Sequence, residues 1–269
     1  MKLAERFLVK PGRKIRLARI DPGDTAGVED KSAAEPRLDK NLKRLAELQY
    51  LMYAENRRSL LVVLQAMDAA GKDGTIRHVM TGLNPQGCRV TPFKAPSQEE
   101  LDHDYLWRIH KAVPRRGEIG IFNRSHYEDV LVVRVHGLVP KGVWSRRYDQ
   151  INGFERMLSD EGTAIVKFFL HISRQEQKRR FEARLEDETR HWKLSPADFE
   201  ERKYWNDYHR AYEDALARCS TPWAPWYVVP SDRKWFRNLA VSQIIVETLE
   251  SFRMKFPKPS FDVSKMKLD

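Results

Sequence analysis

The hydrophobic pattern of the chain switches between two periods. Leu60-Leu61-Val62-Val63-Leu64 is an unbroken apolar, β-branched run, the pattern of a strand covered on both faces in a parallel sheet. Cys88–Phe93, Glu118–Asn123, Thr163–Ile172 and Pro225–Pro230 read as four further strands. Between them, apolar residues recur at spacings of three and four. Leu38, Leu42, Leu45, Leu48 and Met52 mark one helix face, with Pro36 suited to its first turn. Trp144, Tyr148, Ile151, Phe154 and Leu158 mark a helix over 140–160, and another helix covers 234–255. Ser97-Gln98-Glu99-Glu100 and Ser173-Arg174-Gln175-Glu176 are capping-box patterns, predicting helices over 98–112 and from 174 onward. Ser195-Pro196 opens a long helix to Arg218, and an apolar run, Val130–Val135, trails the third strand. Residues 1–34 have no sustained period and read as an arm.

Five strands separated by helices predict one α/β domain over residues 1–269: a five-stranded parallel sheet, helices on both faces, right-handed crossovers. In such sheets ligands bind beyond the carboxyl ends of the strands. Two stretches fall there, after the first strand and after the third.

The first is Gln65-Ala66-Met67-Asp68-Ala69-Ala70-Gly71-Lys72-Asp73-Gly74-Thr75. Strand, small-residue loop with Gly-Lys, then helix is the layout of a phosphate-binding P-loop. N–H groups at a helix N-terminus have no intrahelical acceptor, and the helix dipole adds partial positive charge. Ala69, Ala70, Gly71, Asp73, Gly74 and Thr75 would line the phosphate, with Lys72 supplying a full charge. The pattern departs from G-x-x-x-x-G-K-[ST]: Ala66 holds the first Gly position and Asp73 the hydroxyl position that normally meets Mg²⁺. Asp68 and Asp73 are the hard-oxygen substitutes.

The second stretch is Phe122-Asn123-Arg124-Ser125-His126-Tyr127-Glu128-Asp129. A hydrophobic strand leading to acids is the Walker B arrangement. Asp68 and Asp129 are expected as the main metal ligands, Glu128 as the next candidate, and Arg124 as a direct phosphate contact through its planar fork. His126 reads as structural. Downstream, Arg174, Lys178, Arg179, Arg180 and Arg184, with Arg190 and Lys193 beyond, suggest a basic lid over 174–218 that closes on phosphoryl groups.

Charge narrows the partner. The chain of 269 residues carries 48 Lys and Arg against 38 Asp and Glu, a net +10, which favours a polyanion. No RNP motif, zinc-finger spacing or basic zipper points to nucleic acid. The two cysteines, Cys88 and Cys219, lack metal-ligand spacing. No apolar run is long enough for a membrane span and the N-terminus has no signal-peptide core, so a cytoplasmic protein without membrane attachment is expected. An ordinary ATP-using nucleotide kinase is the competing reading, which the altered loop and the basic balance oppose.

Taken together, LQAMDAAGKDGTIRHVM, FNRSHYEDVLVVRVH, KFFLHISRQEQKRRFEARL and WYVVP make the chain similar to polyphosphate kinase family 2 over roughly residues 35–255. The FNRSHYEDVLV form resembles the single-domain classes I and III, and Asp21-Pro22-Gly23-Asp24-Thr25 leans toward class III. The resemblance implies a thymidylate-kinase-like P-loop fold and a helical lid. It implies transfer of the terminal phosphate of inorganic polyphosphate to AMP and/or ADP, and the reverse, with Mg²⁺ (Mn²⁺ as substitute). It places catalytic roles on Asp68, Lys72, Arg124, Glu128 and Asp129. It also implies adenine or guanine nucleotides as partners and a homodimer or homotetramer. A basic polyphosphate groove is expected from Lys72, Arg124, Lys94, Arg115 and Arg116, with Arg179, Arg184 and Lys193 from the lid.

Overall fold

The computed structural model describes residues 3–266. Its sheet has five parallel strands: β1 (Ser59–Ala66), β2 (Cys88–Pro92), β3 (Ile119–Asn123), β4 (Thr163–His171) and β5 (Trp226–Pro230), in the order β2-β3-β1-β4-β5. β1 lies at the centre, with Val62 in register with Ile121 on one side and Val166 on the other. Every residue of β1 is buried, as its unbroken apolar pattern requires. Each such aliphatic side chain contributes about 1.5–3 kcal/mol on burial, so the centre of the sheet is its most strongly held part.

Six longer helices flank the sheet: α1 (Lys31–Glu55), α2 (Lys72–Val79), α3 (Lys141–Asp160), α4 (Arg174–Leu185), α5 (Trp205–Cys219) and α6 (Lys234–Ser251). α1 packs along α6, where Asn41 Nδ2 donates to Ser242 Oγ at 3.1 Å, and α3 packs on β4 and α5. Because all strands run the same way, the turns after β1, β3 and β4 emerge on one rim. The α/β architecture read from the pattern is the one observed.

Several boundaries differ from the sequence expectation, each for a local reason. α1 starts at Lys31, capped by Asp30, whose carboxylate accepts the Ala33 N–H at 2.9 Å; Pro36 therefore lies in the second turn rather than the first. The helix expected over 98–112 is two single turns, Gln98–Leu101 and Trp107–His110. Asp104 divides them by accepting the Leu106 N–H at 2.9 Å. Val130–Val135 is helical at Val132–Val135, after a 3-10 turn at His126–Asp129. The long helix from 195 breaks into Pro196–Glu201, a 3-10 turn at Arg202–Tyr204, and α5. α6 ends at Ser251.

The capping box at Ser97 is complete. At Ser173 only half of it forms. Ser173 Oγ accepts the Glu176 N–H at 3.0 Å, but the Glu176 carboxylate accepts from Arg179 and Arg180, and Asp232 takes the Ser173 N–H at 2.8 Å.

The arm is ordered. Leu3–Phe7 is helical, and the Val9 N–H donates to the Trp226 carbonyl at 2.9 Å. Leu8 bridges Tyr227 in antiparallel sense, which covers the free edge of β5. Leu17 is fully buried and its N–H donates to Glu213 Oε1 at 2.7 Å.

Candidate active site

The loop between β1 and α2 turns its carbonyls inward. Ala69 (φ 59°) and Gly71 (φ 108°) adopt left-handed backbone conformations, rare for the first and natural for the second. The inward carbonyls meet two buried guanidiniums. Arg180 of α4 donates to the carbonyls of Ala69 (3.0 Å) and Ala70 (2.8 Å), and Arg237 of α6 donates to that of Ala70 at 3.1 Å. Arg180 also donates to the Ser231 and Asp232 carbonyls, tying the loop to the turn after β5. Gln177 Nε2 donates to the Asp68 carbonyl at 2.9 Å. The first intrahelical bond of α2 is Thr75 N–H to Gly71 O, so the N–H groups of Gly71, Lys72, Asp73 and Gly74 lie ahead of it, at the positive end of the helix.

Charged side chains gather at this mouth. Lys72 Nζ donates to the Ala66 carbonyl at 3.1 Å. Burial pulls its ammonium below the ordinary lysine range, with Asp68 opposing the shift and Arg124 adding to it. Arg124 Nη2 lies 3.4 Å from Asp68 Oδ1. It leaves β3 with φ 64°, and its N–H extends the ladder to Leu64 O at 3.1 Å. A left-handed arginine costs about 1–3 kcal/mol, a cost that marks functional turns. Glu128 and Asp68 are the carboxylates that sustain the Arg124 charge. Asp198, on the short helix Pro196–Glu201, is half-buried; burial and then the nearby Asp68 raise its carboxyl above the usual range.

The site residues expected from sequence divide into two sets. Asp68, Lys72, Arg124, Glu128 and Asp73 share one electrostatic neighbourhood. Asp73 is held by Asn123, whose Nδ2 donates to it at 2.8 Å. Asp129 turns elsewhere: its carboxylate accepts from Arg147 at 2.9 Å, and burial pushes its carboxyl up to about 6 against the pull of Arg147 and Arg108. Asp129 thus accepts from Arg147, while Glu128 and Asp68 both act on the charges of Lys72 and Arg124. In the 3-10 turn His126–Asp129, adjacent residues point about 120° apart, so Glu128 and Asp129 leave the turn in different directions.

Thr75 is buried, and its hydroxyl donates to Gly71 O at 3.1 Å, bracing the loop. Arg115 and Arg116 precede β3, at the amino rim, opposite the loop; Arg115 pairs there with Glu118 at 2.6 Å. Lys94 follows β2 on the carboxyl rim and is exposed. Arg179 pairs with Glu176, Arg184 packs on Phe181, and Lys193 lies over Trp192. Arg202, in the 3-10 turn before α5, donates to Gln177 Oε1 at 2.6 Å.

Sequence reasoning missed the support beneath the second loop. Lys167, buried in β4, donates to Glu155, to Tyr127 Oη (2.8 Å) and to the Cys219 carbonyl (2.8 Å). Glu155 Oε1 accepts from Tyr127 Oη at 3.0 Å and lies 3.1 Å from His126 Nε2. All four side chains are fully buried. Lys167 sits inside an apolar strand run, where lysine is seldom found unpaired. That was the available signal. Arg237 gave none, because α6 carries no motif.

The family model described as polyphosphate kinase 2 matches residues 28–257. The chain belongs to polyphosphate kinase family 2. It is 52% identical over 266 residues to the AMP/ADP-polyphosphate phosphotransferase of Meiothermus ruber, covering 98% of this chain and 100% of that one. It is 48% identical to the ADP-polyphosphate phosphotransferase of Rhodopseudomonas palustris, over 94% and 92% of the two chains. The crystal structure of polyphosphate kinase 2 from Arthrobacter aurescens TC1 superposes with a TM-score of 0.95 at 46% identity, covering 98% of this chain and 94% of that one. This polyphosphate kinase 2 family member has, among its described residues, no helix long and apolar enough to cross a membrane.

Proposed function

We propose that the protein transfers the terminal phosphate of inorganic polyphosphate to AMP and ADP, and catalyses the reverse. The observation that carries the reading is the convergence of Asp68, Lys72 and Arg124 at the mouth of the loop between β1 and α2. Near-complete matches to relatives named for AMP/ADP and for ADP support the choice of donor and acceptors.

An oxygen of the acceptor's terminal phosphate attacks the end phosphorus of polyphosphate. The bridging P–O bond to the rest of the chain breaks, and the donor leaves one phosphate shorter. The attacking oxygen is already ionised near neutral pH, so no general base is needed. Lys72, Arg124 and the loop N–H groups stabilise the charge spreading over the transferring group. Arg180 and Arg237 hold the loop carbonyls back, so that its N–H groups face the phosphate. Asp68 and Glu128 are the residues that would hold Mg²⁺. Their hard carboxylate oxygens fit that ion. Among the described residues no group of three or more His, Cys, Asp or Glu side chains is close enough for a dedicated cage. That suits an ion that takes one or two carboxylates and completes its shell with phosphate and water. When bound, Mg²⁺ neutralises charge on the phosphates. The segment from Arg174 to Arg218 serves as the lid, and chains associate as dimers or tetramers.

Purified protein with Mg²⁺, long-chain polyphosphate and ADP should produce ATP in a coupled luminescence assay. With AMP instead, ADP should appear first and ATP later. Transfer from ATP to a nucleoside monophosphate with no use of polyphosphate would return the chain to the ordinary nucleotide kinases.

A further inference from the structure

The N-terminal arm forms a basic cleft along the outer edge of the sheet. A cleft of about 440 Å³ lies between the arm and β5, floored by Leu8, Val9, Val228 and Pro230. Five cations line it, Arg6, Arg13, Lys14, Arg16 and Arg19, against one carboxylate, Asp24. Asp24 pairs with Arg6 at 2.7 Å. Arg13, Lys14, Arg16 and Arg19 are exposed and form no ion pair among the described residues. An apolar floor beneath charge of one sign focuses the field outward.

The cations are fixed in place rather than strung along a loose tail. Val9 is tied to Trp226, Leu17 to Glu213, and the Ile20 carbonyl lies 3.1 Å from His171 Nε2. The arm also reaches the rim that carries the P-loop. The Asp232 N–H donates to the Pro22 carbonyl at 3.0 Å, and Arg180, which holds the P-loop carbonyls, donates to the Asp232 carbonyl at 3.0 Å. One turn, Ser231-Asp232, thus separates the arm from the loop. The basic pair once expected to extend the groove, Arg115 and Arg116, lies on the opposite rim.

We propose that this cleft binds the distal part of a long polyphosphate chain whose end occupies the P-loop. The inference rests on the proposed donor. A donor of three phosphates would fill the P-loop mouth alone, whereas a long one would continue over the Ser231-Asp232 turn onto the arm. The cleft then governs chain-length preference and leaves the transfer step untouched.

The test is the full-length variant Arg13→Gln/Lys14→Gln/Arg16→Gln/Arg19→Gln, with Arg13→Gln/Lys14→Gln and Arg16→Gln/Arg19→Gln also made separately. KM and kcat are measured with tripolyphosphate and with chains of about 100 phosphates, and binding of end-labelled long chain is followed by anisotropy across salt. The long-chain KM should rise roughly 10-fold or more with kcat unchanged and the tripolyphosphate KM within about twofold. The slope of log Kd against log salt should fall by about 3, four contacts at roughly 0.7 each for a single-stranded polyanion, and by about half that in each pair variant. Equal effects on both donors, or none on the long one, would overturn the inference. Failure of the wild type to transfer phosphate from either donor would sink the functional reading, while arm-dependent binding of the labelled chain would still support the cleft.

Discussion

Gly71 is the backbone position on which the P-loop depends, and Gly71→Ala isolates that dependence. Its φ of 108° is left-handed, and a Cβ there would lie 2.0 Å from Arg237 Nη1. The backbone strain alone is about 1–2 kcal/mol. Moving the guanidinium away breaks its bond to the Ala70 carbonyl (3.1 Å), at about 1.5–3 kcal/mol for a hydrogen bond to a charged group. Together these predict a loss of about 2.5–5 kcal/mol, a drop in melting temperature of roughly 10 °C in a chain of this size. Gly74→Ala is the internal control. Its backbone is helical, and a Cβ there meets Arg237 Nη2 at 3.3 Å. The gain of about 0.5–1 kcal/mol for replacing glycine within a helix should offset that contact. Urea denaturation followed by circular dichroism measures both. Turnover should fall by roughly 100-fold in Gly71→Ala, the scale of a reacting group displaced by about 1 Å. Equal stability of the two variants, within about 1 kcal/mol, would refute the claim that Arg237 and the left-handed backbone fix the loop.

Four other outcomes follow from the geometry. Lys72→Ala and Asp68→Asn should each lower turnover at least about 100-fold, the scale of one charge-stabilising contact, and near-wild-type steady-state rates would contradict their assignment. Asp68→Asn should raise the Mg²⁺ concentration needed for half-maximal rate, whereas Asp129→Asn should not, since Asp129 faces Arg147; a matching rise in both would restore Asp129 as a ligand. Lys167→Met leaves the Glu155 carboxylate buried without its cation and should cost about 3–5 kcal/mol by urea denaturation, so a cost under about 1 kcal/mol would show the pair to be dispensable. Burial lowers the His209 imidazole to about 4, with His171 beside it, from an ordinary 6.5. The unfolded chain then binds a proton that the folded one does not, so this contribution to stability is lost as pH falls from about 6.5 toward 4. The pH dependence of the urea midpoint over that range should flatten in His209→Gln, and an unchanged slope would count against it.

The sheet was legible in the chain: β1, buried on both faces, stands out as an unbroken apolar run, whereas β2, largely exposed, was marked by its place between turn signals rather than by apolar residues. The P-loop was legible as well, since small residues before Gly71-Lys72 permit the left-handed turn and the close backbone approach that a phosphate loop needs. Boundaries set by single side chains were less legible: Asp104 cuts a helix and Asp30 starts one through local hydrogen bonds that compete with periodicity. Direction and company emerged only on folding. Glu128 and Asp129 are neighbours in the chain with the same chemistry, yet a 3-10 turn sends one toward Lys72 and Arg124 and the other to Arg147. Arg115 and Arg116 carry the right charge but precede their strand, and a parallel sheet puts every such residue on the rim away from the site. Arg237 and the Lys167–Glu155 pair act across long sequence separations, where no local pattern records the partner. The arm shows the same limit: its charges are visible in the chain, but their cleft exists only because Val9 pairs with Trp226 and Pro22 meets Asp232.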